Sequence, residues 1–289
     1  MRIPESELII NEDGSVFHLH IKPEQLADIV ILVGDPGRVA MVKVYFQEIE
    51  CEGASREFVW ATGKYNGKRI TCLSTGIGTD NIDIVMTELD ALANIDFTTR
   101  EVKPVHKTLS ILRIGTCGAI QPDVPLNSYI LSHISVGFDG LMNWYDGRDC
   151  FALADFEEAF KKHVNWNKHL PDPYFVRAGE DIIRRFEDCT VKGMTVSAPG
   201  FYGPQGRVVR QNLAMPNMLE DIESFEFKGF RITNFEMESS ALAGMSAKLG
   251  HNAGTVCFAI AHRYHKAANT GYKNGMAELL QLCLERLTA

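Results

Sequence analysis

Short apolar runs that stop at glycine or a charged residue alternate along this chain with stretches whose apolar positions recur every three to four residues. Ile29 to Val33 reads as a first buried strand. Val44 to Glu50, Arg56 to Thr62 and Arg69 to Leu73 read as successive strands, with Asn66-Gly67 marking a hairpin turn. A helix follows from about Asn81 to Ala93, with Ile84, Val85, Leu89 and Leu92 as its apolar face and Thr79 or Asp80 as cap. Ser110-Ile111-Leu112 ends another buried strand and runs into a glycine-rich turn. Tyr129 to Val136, Lys192 to Ser197 and Ile232 to Phe235 are further strands, and the near-continuous apolar run Ala253 to Ala261 is a central one. One helix opens at Glu236 to Ser240 and stops at Gly250; another, Asn274 to Leu287, closes the chain.

Two stretches are less regular. Thr98 to Lys107 is charged, contains Pro104 and reads as an exposed excursion. Gly147 to Asp181 is mixed, with short helical patterns around Phe156 to His163 and Ile182 to Phe186, and reads as a lid or an oligomer surface. No internal repeat is present. Strands alternating with helices over 289 residues indicate an α/β chain.

The strand ends carry the chemistry. Arg113, Gly115, Thr116 and Gly118 follow one strand; Gly34-Asp35-Pro36-Gly37-Arg38 follows another as a Pro-Gly turn. In open α/β sheets, ligands bind outside the carboxyl ends of strands. Glycines there let the backbone approach a ligand, and a planar guanidinium beside a hydroxyl suits an oxyanion such as phosphate. If the two strands are neighbours, both arginines reach one crevice. Ser74 to Asn81, a Gly-rich turn feeding a helix, reads either as a third anion cradle or as a capped helix with a tight entry.

A further loop, Ala198 to Arg207, offers Phe201 for stacking and Gln205 with Arg207 for in-plane hydrogen bonds, which together suit a planar heterocycle. Glu236 and Glu238 at a helix start are either simple dipole partners or acceptors for paired sugar hydroxyls. Cys117 lies inside the anion stretch, but no histidine is near it in sequence, so packing is favoured over nucleophilic catalysis.

Composition narrows the class. A formal charge of −8 argues against a general nucleic-acid surface and leaves room for a local cationic pocket. Seven cysteines without a CxxC pair fit reduced thiols better than a disulfide frame or a zinc site. The first residues lack an apolar signal core, and no run approaches transmembrane length, so a cytoplasmic protein is expected.

Taken together, Phe17-His18-Leu19, Gly34 to Arg38, Ser55-Arg56-Glu57-Phe58, Ser74 to Gly78, Leu112 to Gln121, Phe201-Tyr202 with Gln205 and Arg207, and Asn234 to Ser239 resemble the nucleoside phosphorylase family. The likeness is greatest to its uridine phosphorylases and runs in motif order from about residue 16 to the end. It implies one α/β domain over 1–289, with 1–15 as an N-terminal extension, built on a mixed, barrel-like central sheet flanked by helices. It implies a homodimer or higher homo-oligomer in which His18 and Arg56 complete the neighbour's site.

The resemblance assigns phosphate to the Gly34 amide, Arg38, Arg113, Thr116 and the neighbour's Arg56. Ribose falls to Met237 and Glu238, with the neighbour's His18 near the 5′-hydroxyl, and the pyrimidine to Phe201, Gln205 and Arg207. Arg113, Arg38 and Arg207 would then carry catalysis, with inorganic phosphate as co-substrate and no resident cofactor. An Arg113→Ala chain is expected to fold and to lose phosphorolysis.

Three departures from the family pattern stand out. His262 replaces the asparagine of uridine phosphorylases and the aspartate of purine enzymes, either as a donor to the base or as packing. Asn81 replaces a serine beside Glu57 and the Ile77 carbonyl, which counts against the family's monovalent cation. The excursion at 98–107 and the region 140–190 could block a ring of dimers. A purine nucleoside phosphorylase, a hydrolase of the same fold and a non-catalytic nucleoside-binding protein are the competing readings. A dinucleotide-dependent dehydrogenase is excluded, because no GxGxxG follows the first strand.

Overall fold

The strand β1 (Ile29–Val33) presents its two faces to two different cores. Val30 and Leu32 join Leu89 and Leu242 on one side; Ile31 and Val33 join Leu280 and Leu284 on the other. Alternation of this kind follows from the two-residue period of a strand. Each such side chain, fully removed from water, contributes about 1.5–3 kcal/mol. The computed structural model describes residues 2–289.

From β1 the chain runs through α1 (Pro36–Lys43), β2 (Glu48–Ser55), β3 (Phe58–Tyr65), β4 (Lys68–Ser74) and α2 (Thr79–Asn94). A small hairpin, β5 (Ile95–Asp96) with β6 (Glu101–Val102), precedes β7 (Ser110–Ala119) and β8 (Tyr129–Gly137). Next come α3 (Ala154–His163), β9 (Tyr174–Arg177), α4 (Glu180–Phe186) and β10 (Val191–Ser197). The remainder holds α5 (Met218–Glu223), β11 (Glu226–Phe227), β12 (Phe230–Glu236), α6 (Ser239–Leu249), β13 (Asn252–His262), β14 (Ala267–Ala268) and α7 (Lys273–Thr288).

In the main sheet β7, β13, β8, β10 and β12 are successive neighbours. β12 then pairs back onto β7, Asn234 opposite Ala119 and Phe235 opposite Gly118, which closes these strands into a barrel. β1, β4, β3 and β2 extend from β7 as an open wing. β13 runs parallel to β7 but antiparallel to β8, so the sheet is mixed. The result is a single α/β domain with a barrel-like sheet flanked by helices, as the sequence implied.

Local differences have local causes. β7 does not end at Leu112 in a glycine turn but continues to Ala119, held by parallel pairing with β13 along its whole length. Gly115 serves packing: a Cβ there would lie 2.3 Å from Arg113 Nη1. Pro36-Gly37 is no isolated turn either. Pro36 sits in the first turn of α1 and the Asp35 side chain caps it by accepting from the Gly37 amide at 2.8 Å.

Neither Thr79 nor Asp80 caps α2; its N-cap is Gly78, at φ 102°. β2 starts later than its sequence suggests because Val44 to Phe46 turn off the end of α1, and β3 does so because Arg56 takes φ +54° at the turn between the two strands. Residues 154–177 are built into the core rather than laid over it. Phe156, Phe160 and Phe175 are buried, and β9 pairs with β8.

Candidate active site

The register of β1 against β7 sets Leu32 opposite Arg113, and that of β1 against β4 sets Val33 opposite Ser74. β1 and β4 therefore end at one level, beside Arg113 and Ile114 in the middle of β7. The Gly76 amide donates to the Gly34 carbonyl at 3.0 Å, tying the two connecting loops together. Around this point lies a cavity of about 730 Å³. Gly34, Arg38, Arg113 and Thr116 line one part of it, and Phe201, Gln205, Arg207, Met237 and Glu238 another. Every residue the sequence assigned to this chain's own site thus faces one space.

Arg113 is 4% exposed and is held by two carboxylates. Its Nη2 donates to Glu238, and its Nη1 to Glu236 Oε2 at 3.3 Å. Burial works against the guanidinium's charge, but Glu238 and then Glu236 outweigh it, so its pKa lies above the ordinary arginine value. Burial raises the Glu238 pKa, opposed by Arg113 and reinforced by Glu236. Glu238 Oε1 also accepts from the Gly78 amide at 2.8 Å, which fixes the carboxylate from the loop before α2.

Glu236 has a different task. It accepts from the Glu238 amide at 3.0 Å, from the Ser239 amide at 2.9 Å and from the Ser197 hydroxyl at 2.6 Å. These bonds satisfy donors at the start of α6 and bind the end of β12 to the end of β10. Both carboxylates line the cavity with Arg113, but Glu236 is also anchored by the start of α6 and the end of β10, whereas Glu238 is held by the Gly78 amide.

At the other end, Arg207 stacks 3.9 Å from the Phe201 ring centroid and donates to the Phe201 carbonyl at 2.6 Å. It also donates to Gln205 Oε1 at 2.5 Å. Burial, and after it the charge of Arg263, push its pKa down to about 10, which leaves it cationic at neutral pH. Arg263 donates to the Gln205 carbonyl at 2.9 Å, a support that no local sequence pattern signals. Gln205 is 3% exposed, so its orientation is set by these two arginines.

His18 and Arg56 do not line this cavity. They lie together elsewhere: Arg56 is 6.0 Å from the Phe17 ring centroid, and the Phe17 and His18 rings meet edge to face at 4.8 Å. His262 does not line the cavity either; its ring packs 4.3 Å from that of His265, and burial lowers its pKa.

Cys117 lines the cavity, and its thiol meets that of Cys257. That contact and burial push the Cys257 thiol well up, and neither cysteine is hydrogen-bonded to a histidine among the described residues. Asn81 Nδ2 donates to Glu57 Oε1 at 3.1 Å, and both line the cavity with Ile77. Arg113 does not stand free in the fold, so the expectation that Arg113→Ala leaves the fold intact is revised: it would strand two buried carboxylates.

At the opposite, amino ends of the strands, Asp90, His106 and His251 bring possible ligand atoms within 4.8 Å of one another. The His251 Nδ1 accepts from the Leu109 amide at 3.2 Å, so the neutral ring carries its proton on Nε2. Nε2 lies 3.2 Å from Asp90 without a hydrogen bond. To ligate a metal through Nε2 the neutral ring would need its proton on Nδ1, where the Leu109 amide already points, so the group does not suit a metal ion. No helix among the described residues is long and apolar enough to cross a membrane.

Residues 28–287 match the family model described as the phosphorylase superfamily. A uridine phosphorylase of Thermococcus kodakarensis is 30% identical over 252 residues, covering 87% of this chain and 79% of the relative. One from Haemophilus influenzae is 29% identical over 86% of this chain and 87% of its own. A DeoD-type purine nucleoside phosphorylase of Bacillus velezensis is 27% identical over 82% and 83%. Among solved structures, a Trypanosoma brucei nucleoside phosphorylase with uridine phosphorylase activity superposes at a TM-score of 0.86. It is 30% identical and covers 97% of this chain and 99% of its own.

Proposed function

The chain belongs to the phosphorylase superfamily and is a nucleoside phosphorylase, a pentosyltransferase; within it, we propose a uridine phosphorylase. The observation that carries this reading is the Gln205–Arg207 pair on Phe201, opening into the same cavity as Arg38 and Arg113. A pyrimidine presents a carbonyl and an N–H on one edge, and an amide beside a guanidinium matches both.

Inorganic phosphate, held by the Gly34 amide, Arg38, Arg113 and Thr116, attacks C1′ of uridine or deoxyuridine. The C1′–N1 electron pair leaves with the base as the uracil anion, which takes up the proton that the attacking hydrogen phosphate gives up, so the products are uracil and ribose or deoxyribose 1-phosphate, and the reaction is reversible. Met237 and Glu238 hold the sugar, with the carboxylate accepting from its hydroxyls. Two guanidiniums orient the attacking anion, an entropic and electrostatic contribution, while Arg207 faces the charge that develops on uracil. No protein nucleophile is needed.

Arg56 and His18, placed together outside the chain's own cavity, complete the site of a second copy in a homodimer. Arg56 adds a third guanidinium to the phosphate, and His18 meets the 5′-hydroxyl. Asn81, through its N–H on Glu57, takes the place of a monovalent cation. Such an enzyme of nucleoside salvage works in the cytoplasm. The test is a nucleoside panel at fixed phosphate: uridine is cleaved and inosine is not. Preferential cleavage of inosine would overturn the assignment of the base.

A further inference from the structure

One buried carboxylate lies outside the cavity and is spent entirely on a single turn of chain. Glu88, on α2 and 7% exposed, accepts from the His18 amide at 3.0 Å and from the Leu19 amide at 2.9 Å. Its Oε1 also meets His18 Nδ1 at 2.6 Å. The turn it grips is also held at Val16, whose carbonyl accepts from Asn11 Nδ2 at 2.9 Å and from the His20 amide at 3.1 Å. Val16, Leu19 and Ile21 are fully buried, and the Val16 amide donates to the Ile21 carbonyl at 3.0 Å.

From this geometry we propose that Glu88 is a positioning residue for His18, fixing its tautomer and its aim; the inference rests on the proposed role of His18 at the 5′-hydroxyl. An ionised carboxylate only accepts hydrogen bonds, so the proton of the neutral imidazole resides on Nδ1. Nε2 then carries the lone pair. The His18 side chain is 29% exposed, against 9% for Glu88, so the imidazole is the reachable member of the pair. A 5′-hydroxyl donates to Nε2, and a nucleoside without that hydroxyl gains nothing from it. The carboxylate also holds the backbone of residues 18 and 19, so ring and main chain move as one unit with α2.

The test compares uridine with 5′-deoxyuridine in the full-length protein and in Glu88→Gln. Gln keeps the volume but brings an N–H₂ group into a site filled with donors. The ratio of the two kcat/KM values is expected to fall about fivefold to tenfold, the scale of one lost hydrogen bond, with uridine turnover carrying the change. In a His18→Ala background the same substitution adds no further loss of discrimination. Equal losses on both nucleosides, or an unchanged ratio, would overturn the proposal.

Side-chain ¹⁵N spectra of His18 read the tautomer independently of turnover. The Nδ1–H form is expected in the parent protein and a mixture in Glu88→Gln; an Nε2–H form in the parent would also overturn it. A protein with the expected tautomer but no cleavage of uridine would refute the functional reading and leave the positioning contact standing.

Discussion

Arg113 and Glu238, 125 residues apart in sequence, meet as a buried ion pair at the wall of the cavity. The pair joins the proposed phosphate end to the proposed sugar end: one partner suits the attacking anion, the other the ribose hydroxyls. It also makes the arginine part of the fold. Removing one member of a buried pair commonly costs about 3–5 kcal/mol, because the other is left charged and dry. Arg113→Ala is therefore expected to lower stability by about that amount as well as to abolish turnover. Denaturant unfolding checks the first and a uridine assay the second. Adding Glu238→Gln should return part of the stability and none of the activity.

A pH dependence follows for the Arg113→Ala chain. Burial already raises the Glu238 pKa in the folded state, and loss of Arg113 removes the influence that lowered it. The folded state then binds a proton more readily than the unfolded one, so stability rises as pH falls through the folded pKa toward the unfolded one. Melting temperatures compared between neutral pH and pH near 5 should show a smaller deficit at the lower value.

At the base end, Arg207→Ala should lower kcat/KM for uridine about 100-fold, corresponding to about 3 kcal/mol of barrier, if the guanidinium meets charge on the leaving base. The fold should persist, since Arg207 is tied only to its own loop, through Phe201 and Gln205. A nucleoside whose base leaves easily, such as 5-fluorouridine, should lose less.

Much of this was legible in the sequence, and the remainder was not for identifiable reasons. Arg38 and Arg113 stand out because each follows an apolar run and has glycine within two residues, and strand ends are where such residues act. The start of α1 was misread because Pro36-Gly37 resembles a turn, although Asp35 before Pro36 is also a helix start. Gly115 suggested a bend, whereas its missing Cβ makes room for the Arg113 side chain. The pairing of Arg113 with Glu236 and Glu238, of Gln205 with Arg263, and of His18 with Glu88 joins residues 58 to 125 positions apart, beyond the reach of any local pattern.

The anchoring role of Glu236 gives a stability prediction in addition to its hold on Arg113. Its carboxylate accepts from the Glu238 and Ser239 amides and from the Ser197 hydroxyl. Glu236→Ala leaves those donors without a partner at the start of α6, and about 2 kcal/mol of stability should be lost. Thermal unfolding measures it.

The two-copy site can be tested by complementation. Arg38→Ala removes a residue of the chain's own cavity, and Arg56→Ala one that would act in the neighbour's. Each variant alone should be inactive. After mixing and subunit exchange, half of the dimers are mixed and each holds one intact site, so about one quarter of parental activity should return. No recovery, with exchange verified, would place both residues in the same site.

The central claim is that an anion held by arginines displaces a pyrimidine from ribose. Uracil release from uridine, followed while inorganic phosphate is raised from zero, measures it most directly. The account predicts no release without phosphate, a saturable rise with it, and ribose 1-phosphate equal in amount to uracil. Release that is independent of phosphate and yields free ribose would contradict it.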